Sequence, residues 1–215
     1  KEPPGVTCDI DTLVTVSESH LNCQSTLQFD VLHGESNLFQ FYVPDTVQLL
    51  KVEGSGAEWT THNENGQQNV DALLNHAVNN HYALTVEYET PIAAGTANLV
   101  APALHATGVV REAGRVAVAT SGNIQVEAAP ELAGLQRIDM ADLSAGMRSL
   151  SFNPILHAFR YRDPNYQLVL EYHRLADVPV RVAAIDYSEL TSVLTEEGYL
   201  ITRASFMVRN HFKKF

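Results

Sequence analysis

The chain has 215 residues, of which 45% are hydrophobic and 18% charged, and its formal net charge is −11. Such a composition can fill a core and excludes disorder. The acidic balance makes nucleic acid an unexpected partner, and no apolar run approaches the ~18 residues of a membrane span, so direct membrane insertion of this segment is not expected either.

The chain opens on Lys1-Glu2-Pro3-Pro4, without an initiator Met or a visible signal peptide. Leu21, Cys23, Ser25, Leu27, Phe29 and Val31 then fall on one side of a two-residue period, with Asn22, Gln24, Thr26, Gln28 and Asp30 on the other. This predicts a half-buried strand. His33-Gly34-Glu35-Ser36-Asn37 supplies a turn into a strand carrying Phe39, Phe41 and Val43. Val70–Val78 reads as a strand that leads into Asn79-Asn80, a pair suited to a hairpin turn. The return strand holds Tyr82, Leu84, Val86 and Tyr88. Pro91–Val110 has no clear period and reads as a long crossover.

Val116 and Val118 are expected to pair with Ile124 and Val126 around Ser121-Gly122-Asn123. Asp139–Leu150 can hold a short helix, because Asp139 and Asp142 can cap it and Met140, Leu143 and Met147 share a face. A further hairpin is expected between Ile155–Tyr161 and Tyr166–His173, around Asp163-Pro164-Asn165. Val180, Val182 and Ala184 predict a strand after Pro179. Leu190–Leu194 and Tyr199–Arg209 flank the turn Thr195-Glu196-Glu197-Gly198. The closing His211-Phe212-Lys213-Lys214-Phe215 reads as strand interior, so the chain is expected to be a fragment of a larger protein.

A dozen or so short strands with regular turns predict an all-β fold. The expected architecture is a large antiparallel β-sandwich, or two packed sub-sandwiches, with at most one or two short helices. Residues 1–92 would form a first β-sheet region and 93–215 a second, packed as one sandwich-like unit. There is also an internal echo. Val14–Leu21 and Val193–Leu200 each run from an apolar end through a polar, Glu-containing turn into a strand that begins at Leu. All amphipathic hairpins look somewhat alike; the sharper reading is that residues 190–215 open a second copy of the module.

Several segments resemble a group of large uncharacterised bacterial proteins that are exported or membrane-anchored. They are Gly108-Val109-Val110-Arg111-Glu112-Ala113-Gly114-Arg115-Val116-Ala117-Val118, Gly134-Leu135-Gln136-Arg137-Ile138-Asp139, Ala158-Phe159-Arg160-Tyr161, Thr195-Glu196-Glu197-Gly198 and Val208-Arg209-Asn210. The resemblance covers roughly residues 80–215 and includes no catalytic motif. It implies a β-rich ectodomain region, exported to the periplasm or cell surface, and it implies no reaction.

The residues that could carry chemistry are scattered. Cys8 and Cys23 could close a loop of about 15 residues, worth roughly 3 kcal/mol, or remain two unpaired thiols. His76 and His81 flank the Asn79-Asn80 turn and could approach across strands, but a metal would need a third ligand. His20, His33, His62, His105, His157, His173 and His211 read as polar surface residues. Ser121 lacks the flanking glycines of a nucleophile elbow. Asp9 and Asp11 point the same way on an extended chain without the further ligands of a calcium loop; Asp139/Asp142 and Glu196/Glu197 read as solvated pairs. Trp59, the only Trp, could line a sugar platform with Tyr42, Tyr82, Tyr88, Tyr161, Tyr166 and Tyr172, although most of these lie on apolar faces.

No catalytic, metal or cofactor site is therefore assigned, and no cofactor is expected. The expected function is a non-catalytic structural or interaction module of a bacterial cell-envelope protein, with other domains of the parent protein or envelope proteins as partners. The alternative is a carbohydrate-binding or accessory β-domain of a larger enzyme, with glycan as its partner.

Overall fold

Alternation of apolar and polar residues sets most of the strands. The structure is a computed structural model and describes residues 3–175 and 183–210. Strand accounts for 66% and helix for 5%, so the chain is all-β. Two compact units are distinguished, Lys1–Leu175 and Ala176–Phe215.

In the first unit, β1 (Gly5–Val16) and β2 (His20–His33) form a hairpin, followed by β3 (Ser36–Pro44), β4 (Gln48–Gly54), β5 (Ala57–Glu64), β6 (Gln67–Val78) and β7 (His81–Pro91). The stretch after Pro91 contributes two short strands, β8 (Asn98–Val100) and β9 (His105–Thr107). β10 (Arg111–Thr120), β11 (Ile124–Ala128), β12 (Gln136–Arg137), β13 (Ile155–Tyr161) and β14 (Val169–Arg174) complete the unit. They form three sheets: a seven-stranded one in the order β12-β13-β10-β1-β2-β7-β4, a four-stranded one, β5-β6-β3-β9, and a three-stranded one, β11-β14-β8. The seven-stranded sheet draws strands from both sides of residue 92.

One main core joins residues of all three sheets, including Leu27 and Phe29 of β2, Phe41 of β3, Leu84 of β7, Phe159 of β13 and Leu170 of β14. Each such side chain stabilises the fold by about 1.5–3 kcal/mol on full burial. Thr12 and Ser25 also face inward, and their hydroxyls satisfy each other at 2.8 Å. The opposite face of the large sheet is covered locally by a 3₁₀ turn, Met140–Asp142, and by α1 (Ala145–Leu150). Asp139 caps the turn and Ser144 caps the helix, accepting from the Met147 N–H at 3.1 Å. Leu143 and Met147 are thereby packed on Leu13, Ala117 and Ala158.

All strand pairs are antiparallel except β1 with β10, which run parallel from Thr7↔Arg111 to Val16↔Thr120. Parallel neighbours need a long crossover, and the Pro91–Val110 stretch supplies it, laying β8 and β9 into the two smaller sheets on the way.

Three expected hairpins are not hairpins. β10 does not pair with β11, β13 does not pair with β14, and β6 does not pair with β7. Ser121-Gly122-Asn123, Asp163-Pro164-Asn165 and Asn79-Asn80 instead carry the chain from one sheet to another. The same turn chemistry serves a hairpin and a sheet-to-sheet step, and only the packing of the flanking apolar faces decides between them.

In the second unit, β15 (Ala183–Leu194) and β16 (Leu200–Asn210) form an antiparallel hairpin around Thr195–Gly198, paired from Leu194↔Leu200 to Ala183↔Asn210 with a register shift between Ile185 and Tyr187. Like β1–β2 it has a cross-strand hydroxyl pair and a hydroxyl that caps its turn, but at different positions along the strands. A cross-strand hydroxyl pair, Ser192–Thr202, lies at 2.8 Å. Thr195 Oγ1 accepts from the Tyr199 N–H, as Ser17 Oγ accepts from the His20 N–H. Val180, Val182 and the His211–Phe215 terminus lie outside the described residues.

Candidate functional site

Inward positions of β10 run Glu112, Gly114, Val116, Val118, so one carboxylate stands in phase with the core. Its side chain is 3% exposed. β9 of the four-stranded sheet brings His105 to it, with His105 Nδ1 at 3.0 Å from Glu112 Oε1. The Tyr161 hydroxyl of β13 donates to the same oxygen at 3.2 Å, and the Ala106 N–H donates to Glu112 Oε2 at 2.8 Å. Tyr161 stacks on Tyr166 with centroids 4.4 Å apart, and His105 meets the rings of Tyr166 and Tyr42.

Burial, and then the neighbouring Tyr166 and Glu112, hold the Tyr161 phenol well above its ordinary range. Burial and Glu112 do the same for Tyr166. Tyr161 therefore stays protonated and remains a donor. Chemically, the arrangement is a clamp: one carboxylate receives donors from both layers of the sandwich, which is how a buried charge is accommodated. His105 was expected at the surface; its side chain is 12% exposed and engaged with Glu112. Glu112 was not singled out from the sequence, although its place on the inward phase of β10 was the available signal.

Gly114 belongs to the same site. The Tyr161 ring lies over it, since a Cβ there would meet the Tyr161 hydroxyl and also the Ile10 carbonyl of β1. Glycine is what lets the phenol reach Glu112.

The other candidates are dispersed. Cys8 and Cys23 are free and buried. Cys8 faces Phe29 while Cys23 faces Val14, six residues along β1 from Cys8. That is about 20 Å of strand, far beyond disulfide reach. His76 and His81 are not brought together: their strands lie in different sheets, and His81 sits 3.0 Å from Asp30. Among the described residues, no three His, Cys, Asp or Glu side chains converge to hold a metal. His20 contacts the Ser19 hydroxyl, His62 lies near Asp71, and His157 near the Val126 carbonyl. Ser121 sits exposed in a turn.

Asp9 and Asp11 do share a face, and both are taken by arginines, Arg111 and Arg115 respectively. Asp139 is a cap, Asp142 is exposed in the 3₁₀ turn, and Glu196 and Glu197 are exposed in a turn. Tyr82, Tyr88, Tyr161 and Tyr172 are buried, which removes them from any sugar platform, whereas Trp59 on edge strand β5 is 45% exposed.

No family model matches the chain, and no curated protein does. Solved structures with a similar course include an M1 zinc metallopeptidase from Deinococcus radiodurans, at 11% identity and TM-score 0.46, covering 93% of this chain and 47% of that one. Yeast LTA4 hydrolase in complex with bestatin is similar at 13% identity and TM-score 0.44, covering 81% and 29%. The native leukotriene A4 hydrolase from Saccharomyces cerevisiae is similar at 12% identity and TM-score 0.44, covering 88% and 30%. The chain thus spans less than half of the length of each. At these values neither zinc binding nor hydrolysis carries over to this chain.

Proposed function

We propose that the chain is a non-catalytic structural or interaction β-module of a bacterial cell-envelope protein. The supporting observation is the position of Glu112. This carboxylate, imidazole and phenol are combined inside the sandwich and tied to the backbone at Ala106. A general acid or base must reach a substrate proton, and a group closed in the core serves packing. Export to the periplasm or cell surface, with parent-protein domains or envelope proteins as partners, rests on the resemblance given above. Reading residues 190–215 as the opening of a second module copy rests on the sequence echo of Val14–Leu21 in Val193–Leu200. The test is incubation of the chain with peptide, ester and glycoside substrates. No turnover is expected; saturable turnover that Glu112→Gln abolishes in a folded chain overturns the proposal.

Trp59 favours a second reading, a carbohydrate-binding or accessory β-domain. It stands beside a shallow cleft that includes Glu53, Ser55 and Thr85. As the sole Trp it reports directly. Saturable fluorescence change with an oligosaccharide, lost in Trp59→Ala, would move the assignment to this reading.

A further inference from the structure

We propose that the outer face of the seven-stranded sheet carries a site for a small oxyanion ligand, one bearing at least two carboxylate or phosphate groups, centred over Ala113. This inference does not depend on the module reading above.

The chain is acidic, at −11, yet four of its fourteen Lys and Arg surround one cleft. Register explains how. Arg111 and Arg115 flank Ala113 on β10, on the outward phase. Arg115 lies directly opposite Arg160 of β13, and Arg162 follows two residues on, where side chains return to the same face. Ala113 and Gly114 leave the floor low, and the cleft holds about 400 Å³, within the size of small-molecule sites.

Like charges directly opposite on a sheet destabilise it, and here they are only partly offset. Asp11 takes Arg115 at 3.0 and 3.4 Å, and is itself fixed by the Ser144 hydroxyl at 2.7 Å. Asp9 reaches Arg111 only at 3.7 Å. Arg160 donates from Nη2 to neutral Gln136 at 3.0 Å, while its Nε is buried without a hydrogen-bond partner. Arg162 has no ion-pair partner among the described residues. Four guanidinium groups thus face two carboxylates. Guanidinium forks match carboxylate and phosphate oxygens in pairs, and a ligand with two such groups can span Arg111 and the Arg160–Arg162 side.

The test is calorimetric titration of the full chain with inorganic pyrophosphate and, separately, with citrate, at low and high salt. One-to-one saturable binding that weakens with salt is expected. Tighter pyrophosphate would identify a phosphate ligand and tighter citrate a carboxylate one; either supports the site. Arg111→Ala and Arg162→Ala alter exposed side chains, and each is expected to weaken binding about tenfold or more at an unchanged unfolding temperature. Arg174→Ala, on β14 and paired with Glu18, is expected to leave binding unchanged. Absence of saturable binding to both anions overturns the proposal. So does an equal effect of Arg174→Ala and Arg162→Ala, which means diffuse attraction. Binding of a polyglutamate peptide but of neither small anion also overturns it, in favour of a protein-docking surface.

Discussion

At Cys23, burial pushes the thiol up to about 12, against a hydrogen bond with Tyr88 that pulls the other way. In the unfolded chain the same thiol titrates near 8.5. Between those values the unfolded chain releases a proton that the folded chain keeps. The stability contribution is therefore intact below about pH 8.5 and declines as pH rises toward 12, with a slope of about 1.4 kcal/mol per pH unit for this one group. Burial, followed by Glu112, raises Cys8 in the same direction. Denaturant titrations from pH 8 to 11 should show falling stability, and Cys23→Ala should flatten that fall. A thiol-reactive dye at neutral pH should label neither cysteine in the folded chain and both after denaturation. Fast labelling of the folded chain would show that the hairpin β1–β2 is not sealed as described.

Among elements, β10 is the most constrained. It lies between a parallel neighbour and an antiparallel one, and at Gly114 it is paired with Ile10 on one side and Tyr161 on the other. Gly114→Ala would force a methyl group against the Ile10 carbonyl and the Tyr161 hydroxyl. A loss of about 3 kcal/mol, read as a lower denaturant midpoint, is expected. The hairpin β15–β16 is the opposite case. Leu190, Leu194, Leu200 and Phe206 share one face and are all exposed, and two strands alone are marginal in water. Limited proteolysis should cut within residues 183–210 first and leave a resistant fragment close to Lys1–Leu175. First cleavage within β1 or β2 would contradict the division into units.

The elements also mark where the sequence was informative. β2, β3 and β7 were legible because each buries one face, so their residues alternate, whereas β6, whose composition also suits a helix, was read as a strand from the Asn79-Asn80 turn that follows it. β4 and β5 were not, because β5 is exposed along nearly its whole length and has no apolar face to read. β8 and β9 are three residues each, too short for a period to appear. Turn residues located the ends of strands but not their partners, as Ser121-Gly122-Asn123 illustrates. The burial of Cys23 followed from phase, while Cys8 lay in no pattern read from the sequence. Their separation followed from register, which depends on the β1–β2 pairing. Glu112 was in the right phase to be noticed, but His105 and Tyr161 lie on other strands, and no local spacing connects the three.

At the scale of the whole molecule, the first unit has an apolar interior interrupted by a few buried polar groups, among them the Thr12–Ser25 hydroxyl pair and the Glu112 carboxylate, which contacts both layers. Removing it leaves the Ala106 N–H and the Tyr161 hydroxyl without an acceptor in the core, and such orphaned groups cost about 1–3 kcal/mol each. Tyr161→Phe removes one donor and keeps the ring, so it should cost only about 1 kcal/mol. The decisive measurement is urea unfolding of Glu112→Ala beside the unaltered chain, followed by far-UV circular dichroism. A loss of about 3 kcal/mol or more with an unchanged slope against urea is expected. Stability equal to that of the unaltered chain would contradict the clamp, and would make Glu112 a candidate for a chemical role.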